Sequence, residues 1–227
     1  MSQWAIPDGV PAATTVLLRD GPDGLETLML RRSSTLNFAA GAWVFPGGRV
    51  DPEDAHPERP EDEEAAARAA AVREAREEAD LVLAPDDLLL LSRWCPPADV
   101  ARRFNTWFFI GAAPPGAVTV DGGEIDDHVW IPPATAIERR DLGEIELVPP
   151  TWITLHQLCP FDDVASALAD IAQRHPVLWM TKLVQSGDVR SVAWDPDPAH
   201  RGEPLHTAGP RNRLLMHSTG WQYERSD

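Results

Sequence analysis

The stretch "FPGGRVDPEDAHPERPEDEEAAARAAAVREAREEADL", Phe45 to Leu81, decides the fold. It opens on a Gly-Gly turn, crosses an acidic segment broken by Pro52, Pro57 and Pro60, and ends in an alanine-rich run. The prolines exclude regular structure over residues 51 to 60. A helix is expected from about Glu61 to about Ala79, with acids in its first turn complementing the macrodipole. On that helix Glu74, Glu77 and Glu78 fall at i, i+3 and i+4 and share one face. Like charges at this spacing destabilise a helix by about 0.2–0.5 kcal/mol per pair, so their placement asks for a cause. Residues 51 to 80 carry twelve carboxylates against four arginines, a local balance of −8 and half of the chain's −16. Such a segment is either a solvated run or a site for a cation.

On either side of this stretch the pattern is that of strands. "AATTVLL" (Ala12 to Leu18) and "LETLMLRR" (Leu25 to Arg32) flank the turn "RDGPDG", and "AWVFPGG" is a third short extended run. Leu88 to Trp94, Phe104 to Ala112 and Ile125 to Ile131 read as further strands, and "PATAIERRDLG" as a short helix opened by proline. Strands alternating with helices in this order fit an α/β class, a mixed sheet packed between helices. From Pro149 the character changes. "PPTWITLHQL" and "DDVASALADIAQRH" have helical apolar spacing, with Val164, Leu168 and Ile171 on one side. "VLWMTKLVQ" and "SVAWDP" are candidate strands. The expected organisation is an α/β domain over residues 1–148, with the proline-broken insertion at about 55–65, and a partly helical extension over 149–227 packed on it.

Composition narrows the function. Of 227 residues 43% are apolar, nine are tryptophan, and Lys182 is the one lysine. Net negative charge repels nucleic-acid backbones, so general nucleic-acid binding is not expected. Cys95 and Cys159 form no CxxC, and the seven histidines show no HxxxH or HxH spacing, which argues against a thiol zinc site or histidine ligands. "MSQWAIPDGV" lacks a signal pattern, no run approaches the length of a membrane span, and the C-terminal "RSD" is not a peroxisomal address. A cytoplasmic location, with no membrane partner, is expected.

Carboxylates crowded on one helix face are explained by a hard dication. Magnesium takes oxygen ligands, keeps waters and is shared between a few carboxylates and a substrate phosphate. Glu74, Glu77 and Glu78 supply such oxygens, and the carbonyl of Gly48 adds another where glycine lets main chain approach. Phosphate recognition asks for arginine, whose planar fork suits phosphate oxygens. Arg32 at the end of the second strand is the first candidate, then Arg102 and Arg103. Trp43, Trp94 and Trp107 are read as core rather than as base-stacking platforms.

These residues also resemble the Nudix hydrolase superfamily, whose box runs G, five residues, E, seven residues, R-E-U-x-E-E-x-G-U. Gly48 is followed after five residues by Asp54, and "REAREEADL" supplies Arg73, Glu74, Glu77, Glu78 and the closing Leu81. Eighteen residues separate Asp54 from Arg73, an insertion of eleven, and Asp80 stands in the glycine position. Asp tolerates the left-handed conformation needed there better than most residues. Upstream, Arg32, Ser33, Gly41, "FPGG" and Asp51 resemble a signature of coenzyme A-directed members, with Asn37 in place of its second arginine.

The resemblance implies an α/β/α Nudix sandwich with a helical C-terminal elaboration, and magnesium, or manganese, as cofactor. It implies Glu77 and Glu78 as metal ligands and Glu74 as a ligand or the carboxylate that orients water. Arg73 would hold these carboxylates in place, and Glu124, on a later loop, is a candidate general base. The implied reaction is attack of water on the diphosphate of a nucleoside diphosphate linked to another group, coenzyme A or acyl-coenzyme A first. ADP-ribose or NADH is the alternative within the class, and a ligand-binding protein without catalysis the alternative outside it. A homodimer is compatible with the family. Asp54 is left open between an outer ligand and a loop residue, and Asp51 is expected to cap the turn.

Overall fold

The computed structural model describes residues 8–34, 40–97, 100 and 102–226. Asn37, the departure in the upstream signature, and the opening residues 1–7 lie outside them. Two antiparallel strands, β1 (Val10–Gly21) and β2 (Gly24–Arg32), are followed by the short β3 (Trp43–Val44) and β4 (Gly47–Arg49) and by helix α1 (Glu63–Ala79). Next come β5 (Leu89–Cys95), β6 (Phe104–Ala112), β7 (Ile125–Ile131) and α2 (Pro133–Asp141). The C-terminal part contains α3 (Pro149–Leu158), α4 (Val164–Ile171), β8 (Val177–Met180), β9 (Lys182–Ser186), β10 (Val189–Ala193), β11 (Arg211–His217) and β12 (Gly220–Ser226).

Eight strands form a mixed sheet in the order β3-β2-β1-β6-β5-β8, with β4 added to β1 and β7 to β2. The β1–β6 and β5–β8 pairs are parallel. Period-2 alternation gives each strand two apolar faces. Leu17, Leu28, Leu30, Trp107 and Phe109 meet the alanine face of α1, at Ala67, Ala70, Ala71 and Ala75. Val16, Leu18, Met29, Phe108 and Ile110 face the other way, toward Trp152, Ile153 and Leu155 of α3 and Ala167 and Ile171 of α4. Fully burying each large apolar side chain contributes about 1.5–3 kcal/mol, so both faces are bound firmly. The result is the expected three-layer α/β/α sandwich.

Helix α1 forms where alanine propensity is high and its ends are capped. Asp62 Oδ1 accepts the Ala65 amide at 3.0 Å, and Glu63 and Glu64 occupy the first turn. The helix ends at Asp80, whose φ of 55° is the left-handed value expected for the box's glycine position. Among the described residues it is the one non-glycine with positive φ.

Two expectations are corrected. No regular structure is expected over residues 51 to 60, and Pro52–Asp54 in fact forms a single 3-10 turn. The rest of the insertion includes the start of α1, which begins ten residues before Arg73. The added length extends the helix along the sheet, where Glu63 reaches Arg93 at 3.2 Å. The extension is also less helical than expected. After α3 and α4, β8 joins the main sheet, and β9 to β12 build a second antiparallel sheet in the order β12-β11-β10-β9. Val192, Trp194 and Leu214 of that sheet pack into the same core as α3 and α4, which makes the extension continuous with the first 148 residues in packing. Trp94 and Trp107 are buried, as expected, and Trp43 is half-buried beneath the Arg31 guanidinium.

Candidate active site

The acidic face of α1 meets the sheet at β4. Ala13 pairs with Gly48 and Thr14 with Gly47, which sets the Gly-Gly turn against the C-terminal half of the helix. The Gly47 amide donates to Glu78 Oε2 at 2.8 Å. A Cβ on Gly48 would lie 2.3 Å from the Glu74 carboxylate, so only glycine lets that side chain approach the main chain. Both halves of the sequence motif therefore meet in space.

Arg73 organises the rest. Its Nε and Nη2 donate to the two oxygens of Asp54 at 3.1 and 2.9 Å. Its Nη1 donates to Glu74 at 2.8 Å and to Glu77 at 3.3 Å, and Nη2 also reaches the Arg49 carbonyl at 2.9 Å. The hydrogen bonds to Asp54 raise the Arg73 pKa most, outweighing partial burial, with Glu74 adding to the effect. Asp54 is thus the partner that fixes Arg73, and its Oδ2 also accepts the Asp51 amide at 2.8 Å. That settles its geometry as an arginine clamp across the insertion.

One arginine does not balance the carboxylates. Burial raises the Glu74 carboxyl, Arg73 pulls it down, and the charges of Glu77 and Glu124 push it up again. Glu78 is 5% exposed, and burial pushes its carboxyl up to about 8. The Gly47 amide and the charge of Arg32 oppose that rise, while Glu74 and Glu124 add to it. Glu77 stands at the mouth with its side chain 60% exposed.

These shifts also locate the distant candidates. Glu124 and Arg32 act on Glu78 by charge, so the later loop and the end of β2 both face the site. Their junction is fixed by the Ser33 amide, which donates to the Glu124 carbonyl at 2.8 Å. A bulge in the β2–β7 pairing produces it: Arg31 pairs with Asp127 and Arg32 with Ile125, leaving Asp126 as the extra residue. Asp126 then binds Arg31 at 2.6 Å. Arg102 and Arg103 do not converge on the site. The Arg103 carbonyl accepts the Val10 amide at the start of β1, and Arg102 lies 5.2 Å over the Phe104 ring. Thr14, opposite Gly47, is four residues further along β1, a span of about 13 Å at strand rise. Sequence proximity to a strand gave no information on which end of the sheet that strand presents.

The donor set can be tested against a dication. Among the described residues no group of three or more His, Cys, Asp or Glu side chains is spaced to hold a metal as it stands. Glu74 is turned to Arg73 and Glu78 to the Gly47 amide. The chemistry nevertheless fits a hard cation. Two carboxyls are raised by burial and by neighbouring acids, the donors are all oxygen, and Gly48 leaves main chain open beside Glu74.

Comparison with known proteins agrees with this geometry. The NUDIX domain family profile matches residues 9–150. A Caenorhabditis elegans protein named for the nudix hydrolases is 28% identical over 172 residues, covering 60% of this chain and 56% of that protein. The chain therefore spans little more than half the length of that curated relative. The crystal structure of a NUDIX hydrolase from Alicyclobacillus acidocaldarius superposes with a TM-score of 0.61 at 26% identity, covering 73% of this chain and 97% of the other. Among the described residues no helix is long and apolar enough to cross a membrane.

Proposed function

The chain belongs to the NUDIX domain family, and on that premise we propose that it is a magnesium-dependent pyrophosphohydrolase, with manganese able to replace magnesium. Its substrate is a nucleoside diphosphate linked to another group. Coenzyme A or an acyl ester of it is our first assignment, on the pattern Arg32, Ser33, Gly41, "FPGG" and Asp51. The observation that carries the reading is Glu78, a buried carboxyl pushed up to about 8 within a set of four acids. A domain that only binds a ligand has no need of that arrangement.

Glu74, Glu77, Glu78 and the Gly48 carbonyl would hold the metal, which when bound supplies positive charge to the diphosphate and lowers the pKa of water. Arg73, fixed by Asp54, keeps Glu74 and Glu77 oriented between turnovers. Arg32, whose charge reaches Glu78, faces the incoming phosphates and offers its planar fork to them. Glu124 receives the proton of the attacking water. Its exposed position on the loop leaves it free to release that proton to solvent.

The test is hydrolysis of coenzyme A, acetyl-coenzyme A, ADP-ribose and NADH with magnesium. Preference for the first two is expected. Equal rates on all four would remove the coenzyme A assignment and leave the reaction class. Magnesium at a hundred times its Kd should stabilise the folded protein by about 2.7 kcal/mol, and a melting temperature indifferent to magnesium and manganese would overturn the metal role.

A further inference from the structure

Glu124 lies at an exposed turn, where a side chain has no packing to hold it. Its backbone is nonetheless closely fixed. Asp121 Oδ2 accepts the amides of Gly123 at 3.1 Å and Glu124 at 2.9 Å, and its Oδ1 accepts the amide of Ile125 at 2.9 Å. One carboxylate thus binds three successive amides that surround the residue facing the helix acids. Gly122, with φ of +72°, turns the chain so that its own amide reaches the Ile125 carbonyl at 3.0 Å. On the far side the Ser33 amide holds the Glu124 carbonyl. The turn is bound from within by Asp121 and from outside by Ser33, the residue after β2.

We infer that Asp121 is a positioning residue for hydrolysis, which clamps the turn so that the Glu124 carboxylate is delivered to the Glu74–Glu78 face of α1. The inference rests on the proposed function. Asp121 itself touches no reacting atom, since its two oxygens are occupied by the turn's amides. Its contribution is entropic: the clamp removes the turn's backbone freedom on folding rather than during turnover. A proton acceptor must lie within hydrogen-bond reach of the attacking water, and misplacement by about 1 Å can cost about a hundredfold in rate. The surrounding "DGGEIDD" otherwise reads as an ordinary acidic turn, and its hydrogen bonds reveal an ordered one.

The experiment is a double-mutant cycle on the full chain with the best diphosphate substrate and magnesium. Glu124→Gln should lower kcat by about a hundredfold. Asp121→Ala should lower kcat by about tenfold or more with KM little changed, and Asp121→Asn, which keeps one carbonyl oxygen to accept an amide, should recover part of the loss. In the double variant D121A/E124Q the loss should equal that of Glu124→Gln alone, because the clamp has nothing left to position. Equal losses from Asp121→Ala in both backgrounds would make its role structural only and overturn the inference. So would a Glu124→Gln variant as active as the wild type, which removes Glu124 as proton acceptor even where an inactive Glu78→Gln leaves the reaction class and metal role standing. Hydrolysis undiminished in Glu78→Gln would instead overturn the proposed function. Melting curves of all five variants separate a kinetic loss from a folding defect.

Discussion

Two arginine–carboxylate networks, one in each part of the chain, use the same residue types to opposite ends. In the C-terminal part Arg213 grips Asp197 with Nε at 2.7 Å and Nη2 at 2.9 Å, and both residues are buried. The amides of Ala199 and Asn212 fill the remaining lone pairs of Asp197 at 2.9 and 3.0 Å. Burial pushes that carboxyl up, but these four donors outweigh it and leave the pKa lowered. At α1 a single Arg73 is divided among Asp54, Glu74 and Glu77, while Glu78 receives one amide. There burial wins at Glu74 and Glu78, whose carboxyls rise. The lesson is one of donor count: a satisfied pair is structural, and an under-satisfied cluster is the one to which the proposed function assigns a cation.

The comparison breaks most sharply if the closed network proves dispensable. Asp197→Ala leaves Arg213 charged and buried, and should destabilise the protein by about 3–5 kcal/mol, read by chemical denaturation. A loss below about 1 kcal/mol, the range of an exposed pair, would erase the distinction. Glu78→Gln should do the reverse. Metal-free, it should leave the melting temperature little changed near neutral pH, where the buried carboxyl already holds its proton, and raise it above about pH 8. Magnesium-dependent turnover should fall by about a hundredfold, or about 2.7 kcal/mol at 1.36 kcal/mol per decade.

The pH responses should also oppose each other. Asp197 has a lowered folded pKa, so its stabilisation is present above its unfolded value of 3.8 and is lost as pH falls through the folded value. Glu78 has a raised one. In metal-free protein its contribution favours folding below 4.5 and is lost as pH rises from there through about 8. Magnesium competes with that proton, so its affinity should rise with pH up to about 8. Titration calorimetry across this range checks it, and a flat affinity would place the metal elsewhere. The smallest effect sharpens the end of α1: Asp80→Gly removes a Cβ from a left-handed residue and should stabilise by about 0.5–1 kcal/mol. Activity should not change.

The strands and helices of the first 148 residues were legible because each buries two apolar faces or one alanine stripe, and such periodicity is local. The box was legible because its ligand candidates lie within two turns of one helix. "GPRNRLLMHSTGWQYERSD" was not, since its hairpin, β11 with β12, is held by cross-strand partners and a core that come from elsewhere in the chain. Asp54 was ambiguous for a related reason. Its partner Arg73 lies nineteen residues away, brought back only because the insertion lengthens α1 and folds alongside it. Arg102 and Arg103 misled because an arginine's chemistry is legible in a sequence and its direction is not.

By itself the sequence determined the class of fold, the acidic helix face and the family, because alternation, propensity and motif spacing act between near neighbours along the chain. Tertiary structure alone decided which carboxylates are buried, that the charges of Glu124 and Arg32 reach them, and that Asp121 holds the turn at Glu124. Burial, dielectric and hydrogen-bond supply are properties of place, and a chain acquires places only when distant segments pack.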